Sequence, residues 1–329
     1  METTILCPIC EGGTKQVYVG FKGYIEHSVY DLYECKNCEA SFCHPMKSDH
    51  KVYDYIYSQA SIIPGYERYV RYSKLVQQVR NPLDALSNAE NTYWSIREAL
   101  KTYFPSTNIT IAEIGSGLGY LTYSLNKAGY NTKGIDISSE AVAKANQTYG
   151  NYYESGDILL LSDTHKDKFD CVIMTELIEH VENPKAFIIA ALGMLKEGGK
   201  LIITTPNKSW TPKEYIWGSD VPPIHLWWFS EKSITMLADS LSKQCALIDF
   251  TGFTSKFYEP LWYPTISDLQ SDVPKISVSG EYIGKEQVVN AKSKFLSIKV
   301  RYILSYLRRR LKRKHATSRA STMCAVIYT

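Results

Sequence analysis

The chain has 329 residues, 44% of them hydrophobic and 22% charged, with a formal net charge of +3. That length buries a full core with room for more than one domain, and the composition is that of a soluble globular protein. No apolar run reaches the roughly 18 residues of a membrane-spanning helix, and Met1-Glu2-Thr3-Thr4 carries no signal-peptide pattern, so a cytoplasmic placement is expected.

Residues 1–45 read as a small metal ribbon. Cys7-Pro8-Ile9-Cys10 and Cys35-Lys36-Asn37-Cys38 are two Cys-x-x-Cys knuckles on either side of a β-rich stretch from Val17 to Tyr33. Four thiolates at tetrahedral reach suit a closed, structural zinc site, and eight cysteines in a chain of this kind argue for metal or free thiols over disulfides. Cys43 and His44 flank the second pair. A ribbon this small has little core, so the metal is expected to supply its stability.

Residues 46–106 are rich in tyrosine: Tyr53, Tyr55, Tyr57, Tyr66, Tyr69, Tyr72, Tyr93 and Tyr103. Tyr66, Tyr69, Val70 and Ser73 follow a helical spacing, and Tyr93 to Leu100 reads as a further helix. The segment is either a lid over a bound ligand or packing between the ribbon and the main domain, and packing is the expectation for any single tyrosine.

The next stretch organises the chain. Ile109–Ile114 is β-branched and apolar, Gly115-Ser116-Gly117-Leu118-Gly119 follows, and Tyr120 to Ala128 reads as a helix stopping before Gly129. A strand, a glycine turn and a helix N-terminus make a nucleotide cradle. Lys133–Ile137 reads as a second strand ending at Asp136, which is placed to take ribose hydroxyls. Asp157 lies where a third strand ends, Phe169–Met174 is a fourth strand running into Thr175-Glu176, and Gly198-Gly199 turns into a fifth that runs to Thr204.

This ordered set resembles the class I S-adenosylmethionine-dependent methyltransferases, over residues 85–255 plus the final strand. A dinucleotide-binding dehydrogenase more often shows G-x-G-x-x-G and does not call for the Leu195-Lys-Glu-Gly-Gly-Lys200 turn. The resemblance implies an α/β fold: a Rossmann-like seven-stranded methyltransferase sheet with helices on both faces, preceded by the ribbon. It implies that Glu113, Gly115, Ser116, Gly117 and Gly119 hold the methionine end of the cofactor. By the same resemblance Asp136 and Ile137 hold its ribose and Asp157 and Ile158 its adenine, with Glu176 completing the rim. The competing reading of Asp136 and Asp157 is a turn or helix-capping aspartate.

Glu176, Glu179 and His180 stand at i, i+3 and i+4, one face of a helical turn if one follows the fourth strand. Such a group binds a divalent ion or forms a hydrogen-bonded pocket floor. Ubiquinone-pathway O-methyltransferases are similar here and use it for a metal.

Pro222-Pro-Ile-His225-Leu-Trp-Trp228-Phe-Ser230 follows the fifth strand, with Ser230 a good N-cap for a helix from Glu231 to Leu241. An imidazole titrates near neutrality, which makes His225 the candidate general base, and Glu179 and His180 are further catalytic candidates. A four-cysteine ribbon, a tyrosine-rich linker and a His-Leu-Trp loop together resemble the zinc-containing sugar methyltransferases of deoxysugar and surface-polysaccharide pathways. That resemblance implies a sugar nucleotide or glycan precursor as acceptor and a histidine of this loop as base. Trp210, Trp217, Trp227 and Trp228 either stack on such a ligand or plug the lid.

Lys243–Phe253 reads as a sixth strand, and Met323–Tyr328 as the antiparallel seventh. Domain boundaries follow at 1–45, 46–106, 107–253 with 321–329, and 254–320 as an insertion. Residues 292–319 within it carry eleven Lys or Arg and no Asp or Glu, which leaves −8 on the remainder of the chain. There Leu296, Val300, Ile303, Leu304, Leu307 and Leu311 keep helical spacing among basic residues. Residues 292–314 thus read as a basic amphipathic helix for an anionic membrane surface or for packing on the body, which makes the protein peripheral to the inner face of a membrane in the first case. Nucleic acid is the weaker partner, because the ribbon between Cys10 and Cys35 offers only Lys15 and Lys22. A zinc-ribbon RNA methyltransferase and an inactive cofactor-binding scaffold are the two alternative functions.

Overall fold

The computed structural model describes residues 5–48, 52, 55–56, 66–211, 221–259, 270, 273–284, 297–312 and 314–328. Tyr53, Tyr57, Trp217 and Leu296 of the sequence reading lie outside these. The main sheet has seven strands in spatial order β10-β11-β8-β7-β4-β5-β6. They are β4 (Thr110–Ile114), β5 (Asn131–Asp136), β6 (Tyr153–Ser155), β7 (Phe169–Thr175), β8 (Leu195–Pro206), β10 (Gln244–Leu247) and β11 (Thr322–Tyr328). Strands β4 to β8 pair in parallel, and β11 is antiparallel to both β8 and β10.

Apolar residues cover both faces of this sheet, as a parallel sheet flanked by helices requires. The Glu231–Asp239 helix opens with the expected Ser230 cap, closed into a box with Ser233. The sixth strand is shorter than its apolar pattern suggests. Asp249 Oδ1 accepts the N–H of Thr251, and this local turn ends the extended run and opens a short helix at Thr251–Thr254.

A second sheet of four strands holds β1 (Thr14–Lys22), β2 (Val29–Cys35), β3 (Ser41–His44) and β9 (Trp227–Trp228). Its fourth strand therefore comes from the His225 loop: Ser41 pairs with Trp228 and Phe42 with Trp227. Trp227 is buried, lies parallel to Phe229 with ring centroids 5.7 Å apart, and donates its indole N–H to the Val181 carbonyl at 3.0 Å. It plugs the junction of ribbon and main domain, so stacking on a ligand is closed to it. Trp228 is buried as well.

The tyrosine-rich segment forms helices Glu67–Leu75, Pro82–Ala89 and Asn91–Tyr103. Tyr72 and Tyr93 are buried and meet Tyr120, the first residue of the helix after the glycine loop, at centroid distances of 6.1 and 5.9 Å. Packing is the role these two play.

The basic helix spans Ile298–Leu311 and is capped by the Ser297 hydroxyl on the Val300 N–H. Its packing differs from an apolar stripe on the body. Tyr302, Tyr306 and Arg309 face the body, with Tyr306 against Phe257 and the Arg309 guanidinium over Phe253 and Phe257. The aliphatic stripe points the other way, into solvent. Among the described residues no helix is long and apolar enough to cross a membrane.

Candidate active site

Parallel pairing from β4 to β8 gathers the carboxyl ends of five strands on one edge. The chain leaves β4 towards β5 and β6, then returns to β7 on the other side of β4, so the crevice where ligands bind such sheets opens between β4 and β7.

Gly115, Gly117 and Gly119 line this crevice with positive φ values of 73°, 47° and 78°. The backbone conformation alone disfavours a side chain at all three. Gly119 has a second reason, since a Cβ there would sit 2.8 Å from both Ala145 Cβ and the Tyr153 ring. The loop is tied down by Asp136. Its Oδ2 accepts the Gly117 N–H at 2.7 Å and its Oδ1 accepts the Ser138 N–H at 2.9 Å. Asp136 thus holds the loop through one oxygen and the start of the next helix through the other, a structural task beyond the ribose contact implied for it. Ile137 beside it is largely exposed on the rim, whereas Ser116 and Ile158 are buried.

Two of the carboxylates implied for the cofactor also make structural contacts. Asp157 Oδ1 accepts the Leu159 N–H at 2.9 Å and caps the short helix Ile158–Leu161, the competing role named for it above. Glu113 is buried and accepts a hydrogen bond from the Thr122 hydroxyl. Burial pushes its carboxyl up to about 8, so it is largely protonated at neutral pH and serves the packing beneath the loop rather than an open rim.

The acid–imidazole group differs from the set expected at i, i+3 and i+4. Glu176 adopts a left-handed backbone (φ 48°) and stands outside the turn of 3₁₀ helix, Ile178–His180, that follows. His225 takes its place: donor atoms of Glu179, His180 and His225 all lie within 4.8 Å of one another. The two imidazoles meet edge to face, with centroids 4.6 Å apart. Thr205, at the end of β8, donates its hydroxyl to Glu179 Oε2 at 3.0 Å. His180 Nδ1 lies 2.6 Å from the Ile224 carbonyl, which only accepts, so Nδ1 carries the proton and a neutral His180 has its lone pair on Nε2. Burial depresses His225 to about 3, which keeps it a neutral imidazole at physiological pH.

The ribbon holds this group in place. Cys43 N–H donates to the Leu226 carbonyl at 3.0 Å, and Leu226 N–H donates to the Glu179 carbonyl at 2.8 Å. The Ser230 hydroxyl that caps the following helix also donates to the Cys38 carbonyl at 2.8 Å. One chain of contacts therefore runs from the cysteine knuckles to the residues flanking His225. On the other side Leu177, which precedes the 3₁₀ turn, packs so close to Gly115 that a Cβ there would lie 3.1 Å from it.

The four ribbon thiols converge, with Cys7 and Cys38 sulfurs 3.6 Å apart and Cys10 and Cys35 sulfurs 3.4 Å apart. Tetrahedral zinc with bonds of about 2.3 Å places its sulfurs about 3.8 Å from one another, so the cage fits such an ion and its spacing is far from a disulfide's. Backbone N–H groups of Asn37 and Cys38 point at the Cys35 sulfur at 3.3 and 3.4 Å, donors that stabilise a thiolate. The contact with Cys38 holds Cys7 down at about 5. Cys43 stands outside this group; burial pushes its thiol up to about 12, and it flanks the cage as an inert neighbour.

Residues 88–241 match the family model of a methyltransferase domain. With the sheet order, this gives the Rossmann-like fold of class I S-adenosylmethionine-dependent methyltransferases. A ubiquinone biosynthesis O-methyltransferase of Hydrogenovibrio crunogenus is 33% identical over 128 residues, 36% of this chain and 51% of that protein. The Rickettsia felis protein of the same description is 32% identical over 140 residues, 40% of this chain and 55% of that one. The chain thus spans about half the length of these curated relatives, and their names carry no sugar. Among solved structures, a methyltransferase of Thermotoga maritima described as a possible histamine N-methyltransferase covers 84% of this chain and 99% of its own, at 16% identity and a TM-score of 0.47.

Proposed function

We propose that the chain is an S-adenosylmethionine-dependent methyltransferase that methylates a hydroxyl oxygen of a small polar acceptor, with His225 taking the proton. The observation that carries this reading is the trio of buried Glu179, half-buried His180 and buried His225 on the same strand edge as the glycine loop. The glycine loop and Asp136 seat the cofactor, which when bound supplies a methyl group on a sulfonium. Transfer of that methyl group to the acceptor oxygen would leave the electron pair of the broken bond on the sulfur. Most of the acceleration comes from alignment, worth up to about 7–11 kcal/mol. His225 is neutral and stands ready to accept the hydroxyl proton; its burial opposes the imidazolium that results, so that charge has to be held by the Glu179 carboxyl beside it.

Two acceptor classes are in view. The ribbon joined to a His-Leu-Trp loop supports a sugar nucleotide or glycan precursor, and the relatives' names support a ubiquinone precursor. Transfer of labelled methyl groups to each class decides between them. Replacing His225 by Ala is expected to lower turnover by about 10²–10⁴-fold and to leave cofactor binding unchanged; undiminished turnover removes His225 from the mechanism.

A second reading rests on the same convergence of donors. Two imidazoles and a carboxylate suit a divalent ion, and Glu179, His180 and His225 are its ligands in place of Glu176, Glu179 and His180. Activity lost to a chelator and restored by magnesium or manganese, with the ribbon metal retained, supports that reading; indifference to the chelator ends it. The four-cysteine cage is read as a structural zinc site, which metal analysis of the purified protein tests.

A further inference from the structure

Among the described residues, the contacts that anchor the helix Ile298–Leu311 come from one face. Besides the Tyr306 and Arg309 contacts, Arg309 donates to the Asn88 carbonyl at 3.0 Å and to the Ala89 carbonyl, and accepts the Tyr258 N–H on its own carbonyl. With 100° per residue, Ile298, Tyr302, Tyr306 and Arg309 share that face. Val300, Ile303, Leu304, Leu307 and Leu311 fall on the opposite one, with exposures from 39% to 85%. Lys299 and Arg310 border the stripe on one side, and Arg301, Arg308 and Lys312 on the other. No acidic residue occurs anywhere from 292 to 319.

We propose that this face docks the protein on an anionic phospholipid bilayer, with the helix lying in the plane of the interface. Aliphatic side chains enter the acyl boundary while Lys and Arg on both flanks meet the headgroups, and the charge complementarity is complete along the helix. A second copy of the chain is a poorer occupant. The face is about 21 Å long at 1.5 Å per residue and roughly 10 Å wide, far short of the roughly 800 Å² per partner of a stable interface. None of this depends on the reaction the enzyme performs.

The test is co-sedimentation of the full chain with phosphatidylglycerol–phosphatidylcholine vesicles and with pure phosphatidylcholine vesicles. Binding is expected to be at least ten-fold tighter on the anionic vesicles and to weaken with salt. The variant Ile303→Glu/Leu304→Glu alters only exposed side chains, so it is expected to keep the wild-type melting temperature and to bind at least ten-fold more weakly. Arg301→Glu/Arg308→Glu is expected to weaken binding and flatten its salt dependence. The proposal is overturned if wild-type chain stays in the supernatant with anionic vesicles at low salt. It is equally overturned if Ile303→Glu/Leu304→Glu binds as wild type, or if that variant dissolves a dimer seen by sedimentation velocity without changing vesicle binding.

Discussion

The glycine loop and the His225 loop sit on the same strand edge and are held in opposite ways. The glycine loop is built from its own neighbourhood: backbone bonds to Ile135, the carboxylate of Asp136 and the ring of Tyr153. The His225 loop owes its position to residues about 180 places earlier, through its pairing with β3 and the bond from Cys43 to Leu226. A fold can therefore build a glycine loop from a local motif and still require a remote element to place the imidazole proposed as the base. The ribbon is that element here.

The largest effect is expected at the ribbon cysteines. Cys35→Ser/Cys38→Ser, which dismantles the cage, is expected to lower turnover by about a hundred-fold or more, since a displacement near 1 Å at a reacting group costs that much. Calorimetry is expected to find cofactor affinity within about two-fold of wild type, inside the usual scatter for sites not in contact. Gly119→Ala tests the other side. It forces a Cβ into Ala145 and Tyr153 at a left-handed φ, an expected loss of about 2–4 kcal/mol by urea denaturation, with cofactor binding weakened as well.

Thr205→Val is a sharper and smaller probe. It removes the hydroxyl that Glu179 accepts and leaves a buried carboxyl oxygen short of that donor, a cost of about 1–3 kcal/mol. The expected readout is a fall of about ten-fold or more in kcat/KM with unchanged cofactor affinity. Smallest at neutral pH is Glu113→Gln. The folded-state carboxyl titrates near 8 against 4.5 unfolded, so the native state binds the extra proton. The resulting stability is full below about 4.5 and is lost as pH rises through 8. Glu113→Gln is expected to flatten that decline, read as melting temperature against pH from 5 to 9.

What could be read from the sequence follows the same division. Strand, glycine turn and helix are adjacent in the chain, and the order of strands through Asp136 and Glu176 carries the sheet. Asp157 shows the limit, because a carboxylate at a strand end caps the next helix as readily as it binds a ligand. The replacement of Glu176 by His225 beside Glu179 and His180 was hidden, since a left-handed residue at 176 breaks the helical spacing and a 3₁₀ turn replaces the helix. Trp227 and Trp228 offered aromatic composition, but only their pairing with Ser41 and Phe42 reveals them as a strand of the ribbon. The basic helix was visible from its periodicity. The direction of its stripe was not, because Tyr302, Tyr306 and Arg309 outcompete the aliphatic residues for the body through ring contacts and hydrogen bonds.

A crystal structure with S-adenosylhomocysteine bound tests the central claim most directly. The adenosyl group is expected against Gly115–Gly119 and Asp136, with the sulfur facing Glu179, His180 and His225 across a gap that one acceptor fills. A ligand seated elsewhere, or a sulfur turned away from those three residues, contradicts it.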